Sequence, residues 1–104
     1  MLEITNYTFI FRGHEKCVDL LLQQKSLDID RRSNKGTTAL HDAAESDNVR
    51  IFEKLLSKGA RFLKNELNVS PLLTAALGGH DKIVRQNYIY FRYTNRNYFH
   101  LFLS

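Results

Sequence analysis

A single cysteine, Cys17, rules out an intramolecular disulfide, so packing and hydrogen bonds have to hold the fold. That usage fits a reducing compartment, and the expected location is cytoplasmic, nuclear or both. One proline and five glycines in 104 residues leave no Pro/Gly-rich linker between domains. No apolar run reaches the roughly 20 residues of a membrane span. The amino-terminal residues lack a basic stretch followed by an apolar one, so no secretory signal is expected. Carboxylates are missing from the end of the chain: all 11 precede residue 82, and Lys82, Arg85, Arg92 and Arg96 follow them. The net charge of +4 therefore belongs to the tail, and the remainder is balanced. Most of the aromatic residues lie in that same tail.

What is present is periodic. Gly13-His14-Glu15-Lys16-Cys17-Val18-Asp19-Leu20-Leu21-Leu22 aligns with Asp47-Asn48-Val49-Arg50-Ile51-Phe52-Glu53-Lys54-Leu55-Leu56, 34 positions on, and Gly79-His80-Asp81-Lys82-Ile83-Val84 follows 32 later. Thr38-Ala39-Leu40 returns as Ser70-Pro71-Leu72, again 32 on. Each unit reads as loop, helix, short turn, helix. Thr38 and Ser70 are N-cap residues, and Pro71 sits at the first helical position, where a missing N–H costs nothing. Ile51, Phe52, Leu55 and Leu56 make one apolar helical face, and Lys58-Gly59 ends it. Predicted helices are 15–24, 39–46, 49–57, 71–77 and 82–88.

The stretch Gly36-Thr37-Thr38-Ala39-Leu40-His41-Asp42-Ala43-Ala44 resembles the opening of an ankyrin repeat, whose period is about 33 residues. The fold class expected is an all-α ankyrin-repeat solenoid. Its divisions are a degenerate lead-in (1–12), the second half of a repeat (13–34), a full repeat (35–66), a shortened repeat (67–87) and a non-repeat aromatic, basic tail (88–104). In the lead-in, Ile4 stands at the cap position, and Phe9 and Ile10 stand where Ala43 and Ala44 need to be small, so a regular first helix is not expected there. Asn87 replaces core residue Leu55, and no hairpin glycine follows it. The chain reads as a slice of a longer solenoid with foreign ends, as a truncated or mispredicted reading frame would leave it.

Chemistry is sparse. Adjacent His41 and Asp42 read as structural, with His41 tying hairpins together rather than moving protons. His14 and His80 belong to helix-start turns, and the four histidines lack metal-ligand spacing. Cys17, at the position of Ile51 and Ile83, is expected to be a buried thiol. Gly78-Gly79 lacks the remainder of a phosphate loop. No enzyme activity, cofactor or metal is expected, and nucleic acid or membrane partners are disfavoured despite the basic, aromatic tail. That tail is expected to be disordered or aggregation-prone.

Binding is expected instead on the concave side of the stack. Arg31, Arg32, Asn34 and Lys35 form one hairpin tip, and Asp42, Glu45 and Ser46 the exposed side of the first helix. In the next repeat Asn65, Asn68, Leu73, Thr74 and Leu77 take those places. Asp42 and Glu45 are placed to pair with a ligand arginine. Arg31 and Arg32 either hold a terminal carboxylate or brace the loop against Asp28 and Asp30.

Two runs carry a narrower likeness. Asp30-Arg31-Arg32-Ser33-Asn34-Lys35-Gly36-Thr37-Thr38-Ala39-Leu40-His41-Asp42-Ala43-Ala44-Glu45-Ser46 resembles a motif of the Fem (feminisation) proteins, and Val69-Ser70-Pro71-Leu72-Leu73-Thr74-Ala75-Ala76-Leu77-Gly78-Gly79-His80 is similar to their next repeat. The resemblance covers about Gly13 to Val84. It implies a substrate receptor of a cullin–RING ubiquitin ligase, whose ankyrin stack captures the carboxyl-terminal tail of a substrate, often ending in or near arginine. The family's VHL-type box, which docks Elongin B/C and the cullin, has no room after residue 84. Ala43 stands where the family motif has cysteine. A generic ankyrin adaptor and a non-functional fragment are the alternatives.

Overall fold

The computed structural model describes the backbone of residues 12–94 and the side chains of 12–87; the lead-in helix question (1–11) and the last ten residues lie outside that range. Five helices follow one another: α1 (Glu15–Leu22), α2 (Ala39–Glu45), α3 (Val49–Ser57), α4 (Pro71–Leu77) and α5 (Asp81–Thr94). Among the described residues there is no strand, and no helix is long and apolar enough to cross a membrane. The first helices α2 and α4 pack side by side, and α3 lies between α1 and α5 in the second layer. The molecule is elongated, 41 × 25 × 25 Å, as stacking along one axis requires.

Local chemistry sets each helix. Thr38 and Ser70 have extended backbones, and their hydroxyls accept from His41 N–H and Leu73 N–H, so both caps form as the sequence predicts. Small residues let α2 and α4 approach: Ala43, Ala44 and Ala75 are completely buried. Leu40, Ile51, Phe52, Leu55 and Ile83 fill the layer between the helices, with Phe62 tilted against Phe52 at 6.3 Å.

Two expectations are corrected. Cys17 is exposed, not buried, and Val18 takes the inward position beside it. Ile51 and Ile83, its counterparts, are buried on helices that pack against the first helix of their own repeat; the segment before Cys17 lies outside the described residues. The last helix also does not end near Tyr88 but runs to Thr94, so the first seven residues of the supposed tail are helical. The helix persists because Tyr90 and Phe91 stand where Lys58 and Gly59 stop α3, and nothing in 88–94 breaks it.

Asn87 sits 1% exposed in the place of Leu55. Its Nδ2 donates to the Ile83 carbonyl at 2.6 Å, but Oδ1 is buried with no hydrogen-bond partner. A buried unpaired acceptor costs about 1–3 kcal/mol. Asn87→Leu is therefore expected to stabilise the protein by about 1–2 kcal/mol, read as a higher urea midpoint at unchanged slope.

Candidate functional site

The side of the stack formed by the hairpin tips and the outer faces of α2 and α4 is built from two copies of one device. In the first tip Ser33 Oγ accepts from the N–H groups of Lys35 and Thr37, and Ser33 N–H donates to the Thr37 carbonyl. In the second, 32 residues on, Asn65 Oδ1 accepts from Leu67 and Val69 N–H, and Asn65 N–H donates to the Val69 carbonyl. The tips are joined by Glu66 N–H donating to the Lys35 carbonyl at 3.0 Å. Gly36 makes this approach possible: its φ is +77°, and a Cβ there would lie 3.1 Å from Glu66 N. Gly36→Ala is expected to cost about 1–2 kcal/mol from the left-handed backbone and the crowding. A thermal-unfolding comparison with the wild type checks it.

His41 locks the next level. Thr38 N–H donates to its Nδ1 at 3.1 Å, which makes Nδ1 an acceptor and puts the proton on Nε2. That Nε2–H donates across the repeat boundary to the Val69 carbonyl at 2.8 Å. Burial depresses the imidazole pKa below its usual value, with Arg32 adding to this and the Val69 bond opposing it. The ring is thus a neutral structural tie, as expected from the sequence. His80 repeats the idea at the far end of α2, with Nε2 against the Glu45 carbonyl at 3.0 Å.

The expected contact residues divide. Arg32, Asn34 and Lys35 are exposed on the first tip, Glu45 on α2, and Asn68 on the second tip with a left-handed φ of 64°. Leu73 is 41% and Leu77 75% exposed on α4. Others are engaged in the scaffold. Arg31 is half-buried, and its N–H donates to the Asp28 carbonyl; the Asp30 carboxylate meets Arg61 instead, accepting from its backbone N–H and Nε at 2.9 Å each. Ser46 Oγ donates to the Asp42 carbonyl and accepts from Asn48 Nδ2. Thr74 Oγ1 bonds back to the Ser70 carbonyl, and the Asn65 side chain is consumed by its own turn.

Asp42 is the main departure. Placed on the exposed side of α2 by the sequence, it is only 7% exposed. Loss of solvation, and then repulsion from Glu45, raise its pKa from 3.8 to about 7. A nearly buried carboxyl with a raised pKa is a weaker partner for a ligand arginine than exposed Glu45. The sequence hides this because the helical period puts Asp42 beside exposed Glu45, and burial is not a property of one helix alone.

Leu67, 83% exposed, was missed. Its signal was available: it stands 32 positions after Lys35, at the same point of the tip. The same shift takes Glu45 to Leu77 and His41 to Leu73. The open side thus runs from charged (Arg32, Lys35, Glu45) to apolar (Leu67, Leu73, Leu77). Among the described residues no group of His, Cys, Asp or Glu is arranged to hold a metal.

Residues 6–66 match the family described as ankyrin repeats (3 copies). The chain is 42% identical over 74 residues to protein fem-1 homolog A-like of Mus musculus, covering 71% of this chain and 11% of that protein. It is 43% identical over 61 residues to protein fem-1 homolog A of Homo sapiens, covering 59% and 9%. The chain thus spans about a tenth of the length of these curated relatives. A chain of the solved complex between a predatory endopeptidase from Bdellovibrio bacteriovorus and its immunity protein superposes with a TM-score of 0.75 at 24% identity, over 83% of this chain and 45% of that one.

Proposed function

Since the chain belongs to the ankyrin-repeat family and, within it, is a Fem-type protein, we propose that this protein-interaction module recognises substrates for a cullin–RING ubiquitin ligase through its concave side. The observation that carries the reading is the 42% identity to a fem-1 homolog, together with the exposure of Arg32, Lys35 and Glu45 within the Fem-like run. The ligand is the carboxyl-terminal segment of a substrate protein. Its basic residue pairs with Glu45, its terminal carboxylate lies against Arg32 and Lys35, and its apolar residues cover Leu73 and Leu77. Contact with cullin and adaptor subunits belongs to regions of a longer protein, and the place of action is cytoplasmic, nuclear or both. No catalytic step is assigned to these residues.

The test is fluorescence polarisation with labelled peptides ending in arginine, compared with the same peptides amidated at the terminus. Binding in the micromolar range, weakened at least about tenfold by Glu45→Lys and by amidation, is the expected result. Equal binding of amidated and free peptides would remove the degron reading and leave a generic ankyrin adaptor, a role that the fold supports equally well.

A further inference from the structure

The two hairpin tips hold the same turn with different side chains, and the difference falls on Ser33. Asn65 Oδ1 accepts from Leu67 and Val69 N–H at 2.9 and 3.0 Å. Ser33 Oγ accepts from Lys35 and Thr37 N–H at 3.3 and 3.2 Å, a hydroxyl being one bond shorter than a carboxamide. Other hydroxyls are tied down as donors: those of Ser46, Ser57 and Thr74 each donate to a helix carbonyl. The Ser33 hydroxyl donates no hydrogen bond among the described residues, while two backbone N–H groups point at its oxygen.

Positive charge flanks it. Arg31 and Arg32 precede Ser33, and Lys35 follows two residues on. Arg32 and Lys35 are exposed and have no ion-pair partner among the described residues. The carboxylates just upstream are turned elsewhere: Asp30 is held by Arg61, and Asp28 Oδ1 accepts from Asp30 N–H. Arg32 lies close enough to His41 for its charge to help depress the imidazole pKa. We propose that Ser33 is a phosphorylation site for a protein kinase that selects basic residues ahead of its target serine, and that the phosphate closes the Arg32–Lys35 seat to the ligand carboxylate. In the transfer, Oγ bonds to the γ-phosphorus of a nucleoside triphosphate, the bond from that phosphorus to its bridging oxygen breaks, and the nucleoside diphosphate leaves; a kinase carboxylate takes the hydroxyl proton. The new oxygens accept from Lys35 and Thr37 N–H and pair with Arg32 and Lys35. The regulation rests on the reading of that seat, proposed above, as the place of the ligand's terminal carboxylate.

The test starts from the full chain, incubated with ATP and the catalytic subunit of the cyclic-AMP-dependent protein kinase and mapped by tandem mass spectrometry. The expected product carries phosphate on Ser33 and not on Ser26 or Ser57. Its Lys35 and Thr37 amide signals should move downfield as the phosphate loses its second proton at about pH 6. Peptides ending in arginine should bind it at least about tenfold more weakly than the unmodified protein, and amidated peptides equally to both. Ser33→Asn, the neutral shape that the next tip already uses, should bind like the wild type, and Ser33→Asp more weakly. Absence of phosphate on Ser33, or unmoved Lys35 and Thr37 amides, overturns the proposal. Equal weakening of free and amidated peptides, or weakening by Ser33→Asn, also overturns it, since a distorted tip rather than charge at the seat would then be the cause. Free peptides that bind the unmodified and phosphorylated proteins alike overturn the regulation alone. Free peptides that bind neither overturn the receptor reading and the regulation with it, and the modification site then stands or falls on the mass and amide signals.

Discussion

Asp42→Asn is expected to stabilise the protein by about 2–4 kcal/mol at pH 8 and to have almost no effect below pH 4. The carboxyl is nearly buried, and its pKa rises from 3.8 to about 7. Below the unfolded value both states carry the proton, so the group contributes its full share of stability. As pH rises towards 7 the unfolded chain releases the proton while the folded one retains it, and stability falls. Above 7 the folded state carries a desolvated charge, and the loss is complete. A shift of this size corresponds to about 4 kcal/mol, reduced by the water that still reaches the carboxyl, hence the lower bound. Asparagine has the same shape and no charge to desolvate. Urea titrations of both proteins at pH 4, 6 and 8 provide the check; parallel stabilities at all three would show that Asp42 is solvated. Glu45→Gln removes only the secondary cause and should give a smaller gain of the same sign.

His41 acts in the opposite direction. Its folded pKa lies below the ordinary value, so it contributes stability above about pH 6.5 that is lost as pH falls through the folded value. The two neighbours oppose each other just below pH 6.5, and the wild type should show a flattened profile there. In Asp42→Asn only the histidine limb remains, so stability should fall steadily on acidification below pH 6.5.

The extent to which this was legible in the sequence follows a physical division. Helix starts are local: Thr38, Ser70 and Pro71 declare them within four residues, and α3 and α4 begin and end where the sequence predicts. Periodicity located the tips and the open side, because one repeat length maps Ser33 to Asn65 and Lys35 to Leu67. Failures occurred where the deciding contact comes from another repeat. Asp42 looks exposed on its own helix and is nearly buried in the fold. Cys17 looks inward by register and has no described element over it. The end of α5 was misjudged for a different reason: β-prone aromatic residues argue against a helix by composition, yet no glycine or proline in 88–94 stops one already begun. Which tip residues remain free for a ligand was also unreadable, since Asn65, Ser46 and Thr74 look like ligand-facing polar groups and are spent on backbone hydrogen bonds.

His41→Ala is expected to be the most damaging single change, costing about 3–5 kcal/mol. The ring is 2% exposed and joins three groups: Thr38 N–H, Thr38 Oγ1 and, across the boundary, the Val69 carbonyl. Truncation leaves the buried Thr38 amide without its acceptor and the Val69 carbonyl without its donor, each worth about 1–3 kcal/mol, and opens a void where the buried ring stood. In a stack of nearest-neighbour contacts such a loss is not shared evenly. It falls on the junction between α2–α3 and α4–α5, so the last repeat should unfold before the middle one. Amide exchange resolves this: protection in α4 and α5 should collapse while that in α3 is retained. Uniform loss across all helices would instead mean that the repeats unfold as one unit and His41 contributes only to global stability. Since Leu73 and Leu77 lie on the uncoupled repeat and Glu45 on the preserved one, the variant would also split the open side. Peptide contacts to Glu45 would survive at low temperature while those to the two leucines are lost.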